Sequence, residues 1–314
     1  MTTGNLPSIA VVIPCWNAEK WIRRAVQSVI DQNYPNLEVI VIDDGSTDGS
    51  LEVIRSFGDK IRCETGPNRG GCAARNRGAK LSSSRYLLFL DADDYLEGPL
   101  IYSQGIASLE ADSDICFGPS VLEFPDKSRQ TRPKPDIRRR REDLLSSFLG
   151  SDWVPPHSVL WKKSFFNNIG GWNIKIRQNQ DGELLSRAIL HRPIFASSCS
   201  GLAIYVQHRS KLRISAQVSS AALESHLEYL MELATRIEGT EFAAARSSIA
   251  RAAYELASNC FYQRQNEIGR RALRLARVCG FEAHIGSFLH RTLCRIAGLE
   301  LKQRLSRMLH EIKK

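Results

Sequence analysis

Residues 8–50 read SIAVVIPCWNAEKWIRRAVQSVIDQNYPNLEVIVIDDGSTDGS, and they contain the first predicted strands and the helix between them. Residues 8–14 form a short β-branched run that ends at a proline, which predicts a fully buried strand. An amphipathic helix is predicted from about residue 18 to 32, with Asn17 as its cap, and LEVIVID at 37–43 predicts a second strand. Strand, helix and strand in this order predict a parallel sheet.

The same alternation continues along the chain. The next predicted elements are a helix at 50–56, a strand at 61–64, a helix at 71–81 and a strand, RYLLFLD, at 85–91. In an open α/β sheet, ligands bind outside the carboxyl ends of the strands. The acidic groups that follow the apolar strands should therefore converge on one crevice.

The middle of the sequence predicts less regular structure. Residues 123–141 are rich in Pro, Lys and Arg, which predicts a solvated loop before a helix at 142–149. Residues 153–176 are rich in aromatic residues, Pro and Gly, and resemble a binding insertion more than a regular element. The remaining predicted elements are a helix at 180–190, a strand at 204–206 and helices alone from 219 onward.

Composition is that of a compact globular protein. The 314 residues are 43% hydrophobic, 25% charged and 8% aromatic, which excludes a disordered or fibrous class. Eight scattered cysteines include no CxxC pair, so we expect reduced thiols rather than a zinc site. The N-terminal sequence lacks the pattern of a signal peptide, and no apolar run reaches the roughly 20 residues of a membrane span. A cytoplasmic protein, or one peripheral to the inner face of the membrane, is expected.

The sequence FLDADDYL, at Phe89–Leu96, is an apolar strand that ends in three carboxylates within four residues. Clustered carboxylates repel one another unless a cation lies among them, and oxygen ligands suit Mg²⁺ or Mn²⁺ with substrate phosphates completing the shell. A solvated acidic turn is the simpler alternative, because Asp is favoured in turns.

Asp43 and Asp44 end the second strand in the same way. A pair of acids at a shared crevice can accept hydrogen bonds from a base or a ribose. The alternative is a structural role, in which Ser46 or Thr47 caps the next helix and Asp48 lies in its first turn.

The stretch GPNRGGCAARNRG, at 66–78, places glycines and arginines around a helix start. Arginine suits diphosphate recognition because its guanidinium is always charged and binds two oxygens at once. The stretch is neither the GxxxxGK[ST] loop of nucleotide hydrolases nor a GxGxxG after the first strand, which argues against kinases and dehydrogenases.

Residues 11–50, ARNRGA at 74–79 and FLDADD at 89–94 resemble the family 2 glycosyltransferases in order and spacing. The resemblance covers roughly residues 8–215. It implies a GT-A fold, a nucleotide-diphosphate sugar donor such as a UDP-sugar, a divalent cation (Mn²⁺ or Mg²⁺) and inversion at the anomeric carbon. It also implies a saccharide or lipid-linked acceptor, as in polysaccharide biosynthesis at the cell envelope.

Position by position, the resemblance assigns a donor site and a metal site. The implied nucleotide-binding residues are Pro14, Trp16, Asp43, Asp44, Arg75 and Asp91. Asp93 would be the direct metal ligand, and Asp91 would lie nearer the ribose and the metal-bound waters. His208, in YVQHRS, matches a histidine that contacts metal or diphosphate, although a lone histidine is more often structural.

The resemblance also implies a catalytic base. QNQDGELLSR, at 178–187, matches the family pattern ED-x-EL-x-x-R, with Asp181 as the base and Gln180 where Glu is commoner. Without the resemblance, Asp181 would be read as a helix N-terminal acid. The implied acceptor-side residues are Asp94, Trp153, His157 and Trp172, whose aromatic rings could equally belong to the core.

The sequence predicts two domains. Residues 1–215 would form the GT-A domain, with 1–120 binding the nucleotide sugar and 121–215 providing the acceptor side and the base. Residues 216–314 would form a basic helical region, in which Cys260 onward contains twelve Lys or Arg against four Glu. Such helices fit an anionic membrane surface, a homo-oligomer interface or ordinary solvated packing, and no nucleic-acid partner is expected.

Two other functions stay open at this point. A nucleotidyltransferase shares the α/β architecture and an acidic metal site, but it should carry a Gly-rich phosphate loop directly after the first strand. A catalytically silent nucleotide-sugar-binding or scaffold protein of the same fold is the second alternative, and Gln180 keeps it open.

Overall fold

The computed structural model describes residues 6–150, 153–208, 219–281 and 288–312. The chain forms two compact units. The first unit comprises Met1–Arg139, Trp153–Ile174 and Arg187–Ser210. The second comprises Arg140–Asp152, Lys175–Ser186 and Lys211–Lys314. The predicted functional boundary near residue 215 stays a prediction.

Eleven strands occur among the described residues, all in the first unit. They are β1 (Ile9–Cys15), β2 (Leu37–Asp43), β3 (Arg62–Thr65), β4 (Tyr86–Phe89), β5 (Tyr95–Glu97), β6 (Ile115–Phe117), β7 (Ser120–Glu123), β8 (Arg129–Arg132), β9 (Val159–Lys162), β10 (Phe195–Ser197) and β11 (Leu202–Val206). A seven-stranded sheet has the order β10-β6-β9-β4-β1-β2-β3, and a four-stranded sheet has the order β5-β11-β7-β8.

The large sheet is mostly parallel, as predicted. Strand β1 pairs in parallel with β2 and β4, and β2 pairs in parallel with β3. The register sets Cys15 beside Asp43, and Asp43 beside Thr65. The carboxyl ends of these strands therefore lie at one edge of the sheet, as expected from the sequence.

The described helices cover the sheet in the first unit and form most of the second. They are α1 (Ile22–Ile30), α2 (Ser50–Arg55), α3 (Gly71–Leu81), α4 (Leu100–Ala111), α5 (Arg141–Leu149), α6 (Lys163–Asn168), α7 (Gln180–Leu190), α8 (Ser220–Arg236), α9 (Arg246–Tyr262), α10 (Asn266–Val278) and α11 (Phe288–Ile312). The mixed α/β architecture followed by a helical C-terminal region is confirmed.

Two segments differ from their predictions. Residues 153–176, expected to be an irregular insertion, contribute β9, which lies antiparallel between β4 and β6. Its side chains Leu160 and Trp161 are 0% and 2% exposed, so a run of only four residues supplies part of the core. The predicted loop at 123–141 contains β8, because a turn folds it back antiparallel onto β7.

The second unit is helical. Helices α8, α9, α10 and α11 follow one another along the chain, and the helical backbone of α11 is interrupted at Gly298, where φ is 76° and ψ is 157°. Among the described residues, no helix combines the length and the apolar character needed to cross a bilayer.

The turn before β11 depends on a glycine. Gly201 has φ 76°, and a Cβ on it would overlap the main chain of Leu100. We expect Gly201→Ala to lower the free energy of unfolding by about 2–4 kcal/mol, from left-handed strain and steric overlap together. Gly58 has φ 55°, and a Cβ on it would meet no atom within 4 Å, so it is a matched control.

Urea unfolding of the two alanine variants measures the difference. Gly58→Ala should cost only the strain, about 1–2 kcal/mol. Equal losses in the two variants would show that close packing at Gly201 contributes nothing beyond backbone conformation.

Candidate active site

The loops after β1 and β2 are tied together. The side-chain oxygen of Asn17 accepts a hydrogen bond from the Thr47 amide at 2.8 Å, and the Asn17 amide donates to the Ser46 hydroxyl at 3.0 Å. Asn17 therefore does not cap α1, which begins at Ile22, because its side chain bonds the neighbouring loop instead.

Two predicted nucleotide contacts lie at the carboxyl end of β1, Pro14 within the strand and Trp16 directly after it. Pro14 is half-buried, whereas Trp16 is 42% exposed, an unusual exposure for an indole. Cys15, between them, is buried in the core, and Trp16 directly after it lies at the surface of this strand end. An exposed aromatic ring on a rigid loop is suited to stack on a planar ligand.

The buried acids at the end of β2 hold the next loop in place. The carboxylate of Asp44 accepts hydrogen bonds from the amides of Arg69 and Gly70, at 2.9 and 2.8 Å. The carboxylate of Asp43 accepts from the Thr65 hydroxyl at 2.6 Å and from the Ser46 amide at 3.3 Å. Asp43 thus connects the ends of β2 and β3, and Asp44 organises the Gly-rich segment before α3.

The family arginine on α3 is buried beside the acidic turn. Arg75 is 5% exposed, and one of its terminal nitrogens lies 2.5 Å from the Asp91 carboxylate. Its guanidinium also lies over the Trp172 ring, 4.6 Å from the centroid. The ion pair offsets the desolvation of the guanidinium, and the indole supports its flat face.

Asp93 and His208 lie together at the end of the acidic turn. The two side chains approach to 2.6 Å between Oδ2 and Nε2, and the imidazole stacks on Trp21 with ring centroids 4.7 Å apart. Arg24 donates to the main-chain oxygen of Asp93 at 2.8 Å and lies over the Tyr95 ring. The start of α1 therefore contacts both groups, through Trp21 just before the helix and Arg24 in its first turn, and the spacing of the sequence did not indicate these contacts.

The metal expected from the resemblance can be tested against these side chains. In the part of the chain that the structure describes, no three Asp, Glu, His or Cys side chains gather as a complete metal-binding set. Hard cations are commonly held through one or two carboxylates, with waters and substrate phosphates completing the shell. Asp93 with His208 beside it fits such a partial set.

Three of the four predicted acceptor-side residues are closed to solvent. Asp94, His157 and Trp172 are 1%, 0% and 3% exposed, while Trp153 is half-buried with its ring edge against Tyr205. Burial gives these three residues structural roles, and a role at the acceptor stays a prediction for all four.

Asp94 links the acidic turn to the last strand. Its Oδ1 accepts a hydrogen bond from the Val206 amide at 2.8 Å, two residues before His208, and its Oδ2 lies 3.5 Å from Nδ1 of His157. The Asp94 carboxylate therefore holds the end of β11 beside the acidic turn, and this contact brings His208 close to Asp93.

Complete burial keeps His157 neutral. Burial lowers the pKa of its imidazole from 6.5 to about 4, against a smaller opposing effect of the Asp91 charge. Between these two pH values the unfolded chain binds a proton that the folded chain does not. The free energy of unfolding should show no loss from His157 above pH 6.5. As the pH drops from 6.5 towards 4, protonation of this histidine in the unfolded chain should lower the free energy of unfolding by about 3 kcal/mol at most.

Urea unfolding of the wild type and of His157→Gln across this pH range tests the assignment. The wild type should lose more stability than the variant as the pH falls, because glutamine does not titrate. Parallel losses in the two proteins would assign the acid sensitivity to other groups.

Asp181 belongs to the second unit. It is half-buried in the first turn of α7, and the Gln180 amide next to it donates to the Ile176 carbonyl at 3.1 Å. Further along the helix, Arg187 donates to the carbonyls of Ile169 and Gly171. Gln180 is therefore used locally as a hydrogen-bond donor, which a glutamate at this position could not be.

A family model described as Glycosyl transferase family 2 matches residues 10–170 of the chain. The chain belongs to this family. The matched part includes the strand ends, the acidic turn and the arginine of α3.

Curated relatives of this family 2 member match over part of their length. An uncharacterized glycosyltransferase of Haemophilus influenzae is 38% identical over 104 residues, which are 32% of this chain and 42% of the relative. The uncharacterized glycosyltransferase YibD of Escherichia coli is 31% identical over 149 residues, 46% of this chain and 42% of YibD. The chain thus spans less than half of each of these relatives.

Solved structures match nearly the whole chain. S. aureus TarS 1–349 in complex with UDP-GlcNAc has a TM-score of 0.69 and 17% identity, covering 97% of this chain and 92% of that one. The mannosyltransferase PcManGT from Pyrobaculum calidifontis, in complex with GDP-Man and Mn²⁺, has a TM-score of 0.57 and 16% identity, covering 98% and 84%. At these identities the likeness shows the fold, which is the expected GT-A type.

Proposed function

We propose that the chain is an inverting glycosyltransferase that moves a sugar from a nucleoside diphosphate, with UDP favoured, to a saccharide or lipid-linked acceptor. One observation carries the proposal. In a member of family 2, the Arg75–Asp91 pair and the Asp93–His208 pair lie on the first unit, at the strand ends where an α/β sheet binds ligands.

The donor nucleotide would lie over the ends of β1 and β2. The exposed Trp16 ring and Pro14 offer apolar contact to the base. Asp44 keeps the segment at Arg69 and Gly70 against the strand end, and its carboxylate is the group that resemblance assigns to uracil. TarS was solved with UDP-GlcNAc and PcManGT with GDP-Man, which is why the choice of UDP rests on the resemblance.

The diphosphate would lie between the arginine and the acidic turn. Arg75 is held rigidly by Asp91 and by the Trp172 ring, so it loses little conformational entropy when it binds phosphate oxygens. Asp93 and His208 would hold the divalent cation, Mn²⁺ or Mg²⁺. When bound, the cation neutralises part of the diphosphate charge.

Asp181 would remove the proton from the acceptor hydroxyl. The acceptor oxygen then forms its bond to the anomeric carbon as the bond to the nucleoside diphosphate breaks on the opposite face, so the configuration inverts. The electron pair of the broken bond stays with the diphosphate, where the charge of Arg75 stabilises it. The cytoplasmic location expected from the sequence stays a prediction.

Thermal unfolding with a panel of UDP, GDP, CMP and TDP, with and without Mn²⁺, tests the donor site. A ligand that binds only the folded state should add about 2.7 kcal/mol at 100 times its Kd, which raises the melting temperature visibly. Stabilisation by one nucleoside diphosphate in Mn²⁺ supports the proposal and identifies the base. If no nucleotide stabilises the protein at any Mn²⁺ concentration, the transferase proposal is wrong and the chain is a catalytically silent scaffold of the same fold.

A further inference from the structure

The last helix carries an exposed apolar face. Beyond Gly298, helix α11 presents large apolar side chains that are about half exposed. They are Leu301 (47%), Leu305 (48%), Met308 (53%) and Leu309 (62%). Spacings of three and four residues place these side chains on one side of the helix. Four such neighbours form a continuous stripe, unlike the single exposed apolar residues common on protein surfaces.

The opposite side of the same helix is packed. Leu299 and Gln303 are 2% and 8% exposed, and the Gln303 amide donates to the Ser258 hydroxyl on α9. Arg307 donates to the Tyr262 carbonyl, also on α9, at 3.2 Å. These contacts fix the rotation of α11 on α9, so the apolar stripe is directed away from its own unit.

Basic side chains border the stripe. On a helix with 3.6 residues per turn, Lys302 lies on one side of the stripe and Arg304 on the other. The neighbouring acid, Glu300, already accepts from Arg304 at 2.8 Å and from Arg270 at 3.1 Å. Because two arginines share this single carboxylate and Lys302 adds a further cation, the border keeps a net positive charge. From Cys260 onward the sequence contains twelve Lys or Arg and four Glu.

We propose that the outer face of α11, formed by these four apolar side chains and bordered by Lys302 and Arg304, binds the surface of an anionic lipid bilayer. The apolar stripe would enter the boundary between headgroups and acyl chains, and the basic side chains would meet the lipid phosphates. A second copy of the chain fits less well, because it would bring the same cations against one another. This surface is separate from the sugar-transfer proposal and does not depend on it.

Sedimentation of the full chain with vesicles tests the surface. The wild type should bind vesicles of phosphatidylglycerol much more than vesicles of phosphatidylcholine, and high salt should weaken the binding. Leu305→Glu should lower binding to the anionic vesicles by more than about tenfold, because it places a charge in the apolar layer. Met231→Glu is the control, since Met231 is also exposed, at 44%, but lies on α8 outside the stripe.

The expected result requires both variants to melt at the temperature of the wild type. Lys302→Glu provides a second variant, which should weaken binding to phosphatidylglycerol through charge alone. The proposal is overturned if the folded wild type stays in the supernatant with anionic vesicles, or if Leu305→Glu and Met231→Glu bind equally. It is also overturned if the wild type forms a lipid-free dimer that Leu305→Glu abolishes, since a second copy would then occupy the face.

Discussion

Asp181→Asn is expected to slow sugar transfer by about 10²–10⁴-fold while leaving nucleotide binding unchanged. The substitution keeps the size of the side chain but removes the carboxylate that would accept the proton of the acceptor hydroxyl. The measurement is the rate of nucleoside diphosphate release with donor and acceptor present, together with the thermal shift given by the nucleotide alone.

Asp143→Asn is the matched control for this prediction. Asp143, like Asp181, is an acid in the first turn of a helix of the second unit, and it pairs with Arg140. If Asp181 only stabilises the start of α7, both variants should lose about 0.3–1 kcal/mol of stability and neither should lose turnover. That outcome would remove Asp181 from the reaction.

Asp93→Ala is expected to abolish the Mn²⁺-dependent part of nucleotide binding. The variant removes the carboxylate beside His208, so the partial ligand set loses the anionic member of that pair. At a nucleotide concentration 100 times the wild-type Kd, the nucleotide adds about 2.7 kcal/mol in all, and the Mn²⁺-dependent share of this stabilisation should disappear. Thermal unfolding with nucleotide, in Mn²⁺ and then in a chelator, measures this difference.

Asp31→Ala controls for the loss of a carboxylate alone. Asp31 is exposed at the end of α1, and its side chain accepts a hydrogen bond from Gln27, one turn earlier on the same helix. This variant should keep the full Mn²⁺-dependent shift. A normal shift in Asp93→Ala would show that another group binds the cation.

The first part of the fold could be predicted from sequence because its signals are local. Strands predicted at 8–14 and 37–43 are built on short apolar, β-branched runs typical of a parallel sheet, and the structure has them at Ile9–Cys15 and Leu37–Asp43. The acids directly after such strands must meet at one edge, which is why Asp43 was expected near the ligand crevice. The helix at 71–81 was predicted at its observed bounds, Gly71–Leu81.

The central position of β9 could not be predicted in the same way. The four residues of β9, Val159–Lys162, carry no periodicity that distinguishes a strand from a loop. Strand β9 is defined by antiparallel pairing with β4 and β6, whose residues are distant in the sequence. Only tertiary contacts therefore reveal it.

Long-range contacts also give the two adjacent acids of one turn different partners. Asp93 and Asp94 are adjacent, yet Asp93 faces His208 and Asp94 is buried against Val206 and His157. The resemblance assigned Asp94 to the acceptor side, and nothing local in the sequence indicates that its carboxylate accepts a main-chain hydrogen bond 112 residues away. The role of an individual carboxylate can therefore be assigned only when the strand that contacts it is known.

The most direct test of the donor site is a crystal structure of the wild type with UDP and Mn²⁺, using the anomalous scattering of manganese. We predict a manganese peak within coordination distance of the Asp93 carboxylate and His208, with diphosphate oxygens next to Arg75. A manganese peak at other residues, or a nucleotide bound away from the ends of β1 and β2, would contradict the proposed donor site.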